Sequence, residues 1–391
     1  MAVALSEEQS LLISTIRRFV ESELRPLEDQ VEEAGKLAPA DAVRIFERSR
    51  ELGLYAINIP KAHGGGGLAT VDWMLAEEQF GQTTDILIRR AFGNIYEILL
   101  AGTPEQQARW LDPSVRGERV FAVAFTEPEA GSDAAGIHST ARRDGDGWVL
   151  KGQKCFISDA HACDFFVVTA VTDKDAGSRG ISTFIVDRDL TGFTIGPNQP
   201  MMGLRGTSHA ELFFDNVRLA PETLLGREGQ GLKLALETLG GVRLAQICAR
   251  AVGKATRVLD LMVDHARQRK QFGQPIGEFQ MIQQLLADSA MEINAARLAL
   301  LDTAATIDRG VDARAEISMV KVQASETLGR VVDRAVQVFG GAGYAKGLPI
   351  ERYYRDARIF RIFDGTSEIH RSVIARNLLK GAPQLYDVSA Q

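Results

Sequence analysis

Cysteine is scarce in this 391-residue chain, and none of it is placed for shared work. Cys155, Cys163 and Cys248 are few and odd in number and form no C-x-x-C pair, a pattern that fits a reducing cytoplasm. The six histidines stand at no metal-ligand spacing, so no metal site is expected. No stretch approaches the roughly 18 unbroken apolar residues of a membrane span. Met1 to Glu8 has neither the basic start nor the long apolar run of a secretory leader. The expectation is a cytoplasmic protein with no membrane insertion. Basic charge is in deficit, 45 Lys and Arg against 51 Asp and Glu for a net −6, which weighs against nucleic acid as a partner. Nucleotide loops of the common kinds are missing too. The glycines at 64–67 lack the Lys-Ser/Thr of a phosphate loop, and Gly341-Ala342-Gly343 follows a helical pattern rather than a strand. Taken alone, each is a turn or a helix stop.

What is present suits a large globular chain: 45% hydrophobic and 25% charged residues, at a length that favours two or three subdomains. The first region, residues 1–117, reads as helical. Ser6 and Gln9 resemble a capping box before Leu12, Ile16, Phe19 and Val20 at helical spacing. Pro26 predicts a break or kink. From 118 to 230 the pattern becomes β-rich, with runs at 120–125, 148–151, 165–171, 181–186 and 211–214 and a turn at Asp144-Gly145-Asp146-Gly147. No helix-length segments alternate with these runs, which favours a small antiparallel sheet or barrel over a parallel one. From 231 to 391 the helical period returns, and Ile317, Val320, Ala324, Leu328, Val331, Ala335 and Phe339 form a core stripe. The fold expected is mainly α with a β insert: a helical domain, a central β domain and a C-terminal helical bundle of four helices.

One segment carries more than fold. In Ala124 to Gly136, AFTEPEAGSDAAG, a strand ends in a polar, glycine-bearing turn whose N–H groups and hydroxyls could hold a flavin edge and a phosphate. By itself the run also reads as a plain strand-to-loop turn. It resembles, however, the first signature of the acyl-CoA dehydrogenase family, and four further segments follow in the family's order. Lys154-Cys155-Phe156-Ile157-Ser158 is similar to its Lys-x-Trp-Ile-Thr strand, with Phe for Trp and Ser for Thr. Residues 267–276 with Phe279-Gln280 resemble its Arg-x-x-Phe-Gly-x-x-Ile…Gln segment. Residues 337–356 resemble its second signature, departing at Gly347. Asp364-Gly365-Thr366-Ser367-Glu368-Ile369-His370-Arg371 resembles the catalytic Glu-Gly-Thr segment.

The resemblance implies non-covalent FAD lying between sheet and bundle. Phe125 and Thr126 would meet its ring, Phe156 would pack against it, and Ser158 would hydrogen-bond near N5. Ser132 would reach the CoA moiety. Arg269, Phe272, Gln280, Gln337, Gly340 and Gly341 would hold the adenosine and pyrophosphate of a flavin in a neighbouring subunit, which implies a homo-oligomer, in this family a tetramer. Thr366 and Glu368 would complete the site, with Gly365 beside the substrate. Arg243 would help bind the CoA end. Arg89 and Arg90 fall on the helix bordering the acyl tail, where they would favour an anionic or strongly polar acyl end; read alone they are surface charges.

The chemistry so implied is α,β-dehydrogenation of an acyl-CoA thioester, with an electron-transfer flavoprotein as acceptor. The Cα–H of a thioester is a very weak acid, so a carboxylate whose pKa is raised by desolvation must stand beside it. A hydride acceptor must face Cβ. Here the base position holds Asp364 rather than Glu, one methylene shorter. The family's alternative base position is matched by Val242, which takes no proton. Some relatives with other chemistry, nitroalkane oxidases among them, also use Asp. Enoyl-CoA reduction, oxidase chemistry and a flavoprotein without dehydrogenase activity therefore stay open as alternatives.

Overall fold

The computed structural model describes residues 4–93 and 95–387. Its N-terminal region is helical: α1 (Glu7–Phe19), α2 (Glu28–Ala34), α3 (Pro39–Glu51), α4 (Thr70–Phe80), α5 (Asp85–Phe92) and the short α6 (Pro104–Gln106) and α7 (Asp112–Val115). The capping box forms: the Gln9 N–H donates to Ser6 Oγ at 3.1 Å and the Ser6 N–H to Gln9 Oε1 at 3.0 Å. Around Pro26 the helix loosens to a π turn at Val20–Leu24 and then tightens to a 3-10 turn at Arg25–Leu27, as a missing N–H and a bulky ring require. The glycine run is structural. A Cβ on Gly65 would stand 2.1 Å from the Ile59 carbonyl oxygen, so the loop can fold back on the chain only without a side chain there.

The middle region is one sheet. Its strands are β1 (Phe121–Ala124), β2 (Thr140–Asp144), β3 (Gly147–Ser158), β4 (Phe165–Val171), β5 (Ile181–Asp187), β6 (Phe193–Ile195), β7 (His209–Leu219) and β8 (Leu224–Leu225), in the order β6-β7-β3-β2-β4-β5-β8 with β1 also on β4. Most pairs are antiparallel, and the expected turn joins β2 to β3 with Gly145 at φ 65°. The sheet is mixed rather than purely antiparallel: β1 and β2 both run parallel to β4. They lie end to end along one edge of β4, β1 against Phe165–Val168 and β2 only at Val171. The connecting loop, residues 125–139, leaves the sheet between them, and that is the signature segment. β4 is apolar but for Thr169 because both faces are covered. Phe166 and Val168 pack with Trp148 and Phe184, while Phe165 and Val167 pack with Ile59 and Trp110 of the helical region.

The C-terminal region holds α8 (Gly231–Val242), which runs through a π turn at Arg243–Ala249 into α9 (Arg250–Gln268). It continues with α10 (Gln280–Asp308), α11 (Arg314–Phe339), α12 (Gly341–Tyr344), α13 (Pro349–Ala357) and α14 (Ser367–Leu379). α11 is the central helix, packed on α9, α10 and α14. Its predicted stripe is buried from Ile317 to Ala335, with Phe339 part-buried at the end. The N-terminal helix α4 joins the same core, so bundle and N-terminal region share one hydrophobic interior.

Candidate active site

A cavity of about 500 Å³ lies where sheet, bundle and α5 meet. Among the residues that resemblance singled out, Phe125, Thr126, Ser132, Phe156 and Ser158 line it from the sheet side, Asp364, Gly365 and Thr366 from the bundle, and Arg89 from α5.

The sheet wall is shaped by a bulge. The β3–β7 register slips between Lys154 and Ile157, and Phe156 sits there at φ 58°, an uncommon conformation for an aromatic residue. The kink leaves Phe156 51% exposed within the cavity wall. An exposed aromatic ring in a wall that also carries Thr126 and Ser158 suits a flat ligand with a polar edge, which is the fit a flavin needs. Behind the wall, Lys154 is fully buried. Its Nζ donates to Glu127 Oε1 at 2.7 Å, to the Phe125 carbonyl at 3.0 Å and to Thr169 Oγ1 at 3.3 Å. Burial pulls the Lys154 pKa down to about 8 against the pull of Glu127. Burial pushes Glu127 up, but Lys154 and the His138 and Ser139 N–H groups outweigh it and hold the carboxylate below its ordinary value.

Asp364 stands at φ 50° and Gly365 at φ 94°, a tight reversal between the 3-10 turn at Arg358–Arg361 and α14. Thr366 caps α14, its Oγ1 accepting from the Ile369 N–H at 3.2 Å. Three side chains hold the reversal by its carbonyls. Arg243 Nε donates to the Asp364 oxygen at 2.6 Å, and Lys321 Nζ donates to the Gly365 oxygen at 2.6 Å. His370 Nε2 stands 3.2 Å from the Asp364 oxygen and Nδ1 3.0 Å from Ser318 Oγ. A neutral imidazole with its proton on Nε2 donates to the first and accepts from the second, and burial keeps it neutral by lowering its pKa to about 4. Gly365 admits no side chain, since a Cβ would lie 2.8 Å from His370 Nε2. Burial raises the Asp364 pKa, with Arg243, Lys321 and Arg89 pulling the other way.

Arg243, half-buried, does not itself line the cavity; its bond to the Asp364 carbonyl makes it a positioning residue beneath that reversal. Lys321 and His370 were missed as functional residues. Lys321 had a signal, because it falls on the buried α11 stripe four residues after Ile317 and three before Ala324, where a lysine needs a partner. His370 stands inside the catalytic segment.

The same cavity has a second polar group, lined by Asp85, Arg89, His209 and Arg250. Arg89 is no free cation: Nε pairs with Asp85 at 2.5 Å and a terminal nitrogen lies 3.8 Å from Asp159. Arg90 faces a smaller neighbouring cavity of about 220 Å³ instead and pairs with Asp159 at 3.3 Å. Successive helical residues point about 100° apart, and of the two arginines only Arg89 lines both cavities. Glu368 also stays outside, in the first turn of α14 with its side chain 73% exposed.

Three family models cover the chain in this order: "Acyl-CoA dehydrogenase, N-terminal domain" on residues 6–118, "middle domain" on 122–217 and "C-terminal domain" on 229–379. The chain belongs to the acyl-CoA dehydrogenase family. As a member it is an oxidoreductase. Short-chain specific acyl-CoA dehydrogenase from Bos taurus is 39% identical over 97% of this chain and 92% of its own length. The caffeyl-CoA reductase–Etf complex subunit CarC of Acetobacterium woodii is 36% identical over 96% and 99%. The solved FAD complex of PigA superposes with a TM-score of 0.87, at 28% identity over 97% of this chain and all of that one. In this acyl-CoA dehydrogenase family member, Arg269, Phe272, Gln280, Gln337, Gly340 and Gly341 all lie outside the cavity and are exposed. The end of α9 with the hairpin at Lys270–Pro275, the start of α10, and the end of α11 with the turn into α12 carry them. Phe272 is 95% exposed, against only the edge of Phe279.

Proposed function

We propose that the protein oxidises an acyl-CoA thioester to the trans-2-enoyl-CoA, with Asp364 as the base. Its cofactor is FAD, which when bound supplies the acceptor for the hydride leaving Cβ. The observation that carries the reading is Asp364 itself, a carboxylate with a raised pKa lining the cavity whose sheet side bears Thr126, Phe156 and Ser158. Asp364 takes the α-proton. Its backbone carbonyl, gripped by Arg243 and His370, fixes the main chain from which the carboxylate projects. The backbone N–H of the same residue would receive the thioester oxygen as charge develops there. Thr126 and Ser158 would orient the flavin edge, Phe156 would cover its face, and Ser132 would meet the CoA moiety.

Enoyl-CoA reduction is the second reading, favoured by a reductase subunit among relatives of similar identity. The same Asp364, protonated, would return a proton to Cα, and its raised pKa serves either direction. An electron-transfer flavoprotein is the proposed electron partner in both, since that relative belongs to a complex with one.

A panel of short, branched and aromatic acyl-CoAs, added without oxygen, tests the function. At least one should bleach the flavin within seconds. Bleaching by none, with an enoyl-CoA reoxidising chemically reduced enzyme, would reverse the direction. Denaturation followed by filtration should release all the FAD, because non-covalent binding is expected; flavin retained on the chain would contradict this. The exposed adenosine-binding residues call for a second subunit, so we expect a homotetramer, and sedimentation at micromolar concentration showing only a 42.7 kDa species would reject it.

A further inference from the structure

We propose that Asp356 is a positioning residue for the reaction: its carboxylate ties a strap from the sheet, residues 200–208, to the chain that leads into Asp364, and so sets the span of the cavity between the sheet wall and the base. The proposal rests on the acyl-CoA reading above and deepens it.

The strap connects β6 to β7. Its ends are drawn together at the sheet, where the Gln199 N–H donates to the His209 carbonyl at 2.7 Å and the His209 N–H to Asn198 Oδ1 at 2.9 Å. Between them the chain leaves the sheet, crosses to the helices and returns. Gly206 packs on α2 and α5, where a Cβ would stand 2.8 Å from Val31 Cγ1 and 2.9 Å from Ile86 Cγ2. Gly203 packs on α13, where a Cβ would stand 2.6 Å from Asp356 Oδ1 and 2.9 Å from the Arg355 carbonyl oxygen. Because that place holds a glycine, the Leu204 N–H reaches Asp356 Oδ1 at 2.6 Å. Arg355 adds an outer bond, Nη1 donating to the Met202 carbonyl at 3.1 Å. That bond is open to water, whereas Asp356 is 2% exposed, so the inner bond carries the tie. Leu204 is held at φ 57°, an angle a leucine keeps only where its surroundings impose it.

The tie joins the two sides of the site. On the sheet side, the strap ends at His209, which pairs directly with Ser158 in the β3–β7 register, and the Ser208 carbonyl accepts from the Asp159 N–H at 2.7 Å. The strap is thus continuous with the wall that carries Phe156 and Ser158, and its own Met201 and Leu204 line the cavity. On the bundle side, the chain runs from Asp356 through Ile359, Phe360 and Phe363, all in the lining, to Asp364. The route from Ser158 to Asp364 therefore passes through one buried hydrogen bond. Removing the acceptor leaves a buried N–H without a partner and frees the strap to move. A proton and a hydride must leave adjacent carbons for acceptors on opposite sides of this gap, and a shift of about 1 Å in such an arrangement costs on the order of 10²-fold in rate.

Variants of the holoenzyme test the tie, with the rate of anaerobic flavin reduction taken per bound flavin at saturating acyl-CoA, using whichever acyl-CoA bleaches the wild type. Asp356→Ala removes the acceptor, and Gly203→Ala leaves Asp356 in place but pushes the strap off it. Each should slow the reduction by at least about tenfold, while Asp356→Asn, which keeps an oxygen for the Leu204 N–H, should stay within about threefold of wild type. Glu78→Gln breaks a buried pair with Arg297, between α4 and α10 and away from the cavity lining, and serves as the control for lost stability. It should lower the melting temperature and leave the rate alone. Wild-type rates in Asp356→Ala and Gly203→Ala, an Asp356→Asn rate as low as that of Asp356→Ala, or equal slowing by Glu78→Gln would overturn the proposal. If neither an acyl-CoA nor an enoyl-CoA exchanges electrons with the wild-type flavin, the proposed function falls by itself. The visible circular dichroism of the bound flavin then decides the tie: it should change in Asp356→Ala and Gly203→Ala and match wild type in Asp356→Asn, and an unchanged spectrum in all three would reject it.

Discussion

Asp364→Asn should give a folded, yellow protein that still binds acyl-CoA but reduces its flavin roughly 10²–10⁴-fold more slowly, the range expected for loss of a general base. Asn keeps the backbone carbonyl that Arg243 and His370 hold, so only the proton acceptor is lost. Asp364→Glu separates two histories: the rate falls if the pocket has adapted to the shorter acid and rises if Asp is merely tolerated. The pH profile adds an independent check. The base works deprotonated, so the rate is lost as pH falls through the Asp364 pKa. Burial raises that pKa and Lys321 opposes the rise, so Lys321→Met should move the acid limb to higher pH. A near wild-type rate for Asn, or a limb that Lys321→Met moves downward, would remove Asp364 from the mechanism.

Lys154→Met should destabilise the holoprotein by about 3–5 kcal/mol, the usual result of stripping one partner from a buried ion pair. Glu127 would keep only the His138 and Ser139 N–H groups. FAD affinity should fall with stability, because the lost ammonium also ties the Phe125 carbonyl, and with it the cavity wall, to β3. The double variant Lys154→Met/Glu127→Gln should recover much of the loss. Urea midpoints and flavin release measure both effects; a shift under about 1 kcal/mol would mean that water reaches the pair.

Where sequence reading succeeded, burial was periodic. The α11 stripe repeats at helical spacing, and β4 is apolar but for Thr169 because helices cover its outer face. β2, TARRD, carries three charges in five residues and sends no such signal. The parallel pairing of β1 and β2 with β4 was equally silent, since side chains alternate alike in either direction. Asp364, Phe156 and Ser158 were legible through their motifs, and the structure does bring them to one cavity. Their left-handed or bulged backbones were not, because Phe and Asp rarely choose such angles unaided. Nor could sequence show that Arg89 and Arg90 share Asp159, which comes from the end of a distant strand.

The supports beneath position 364 grip main-chain oxygens, not the carboxylate. A backbone carbonyl is the same whatever residue carries it. The cradle of Arg243, Lys321 and His370 is therefore indifferent to the side chain it presents, and a lineage can exchange the reacting group without first dismantling the loop that aims it. Glutamate in the family and aspartate here are then two tools fitted to one unchanged handle.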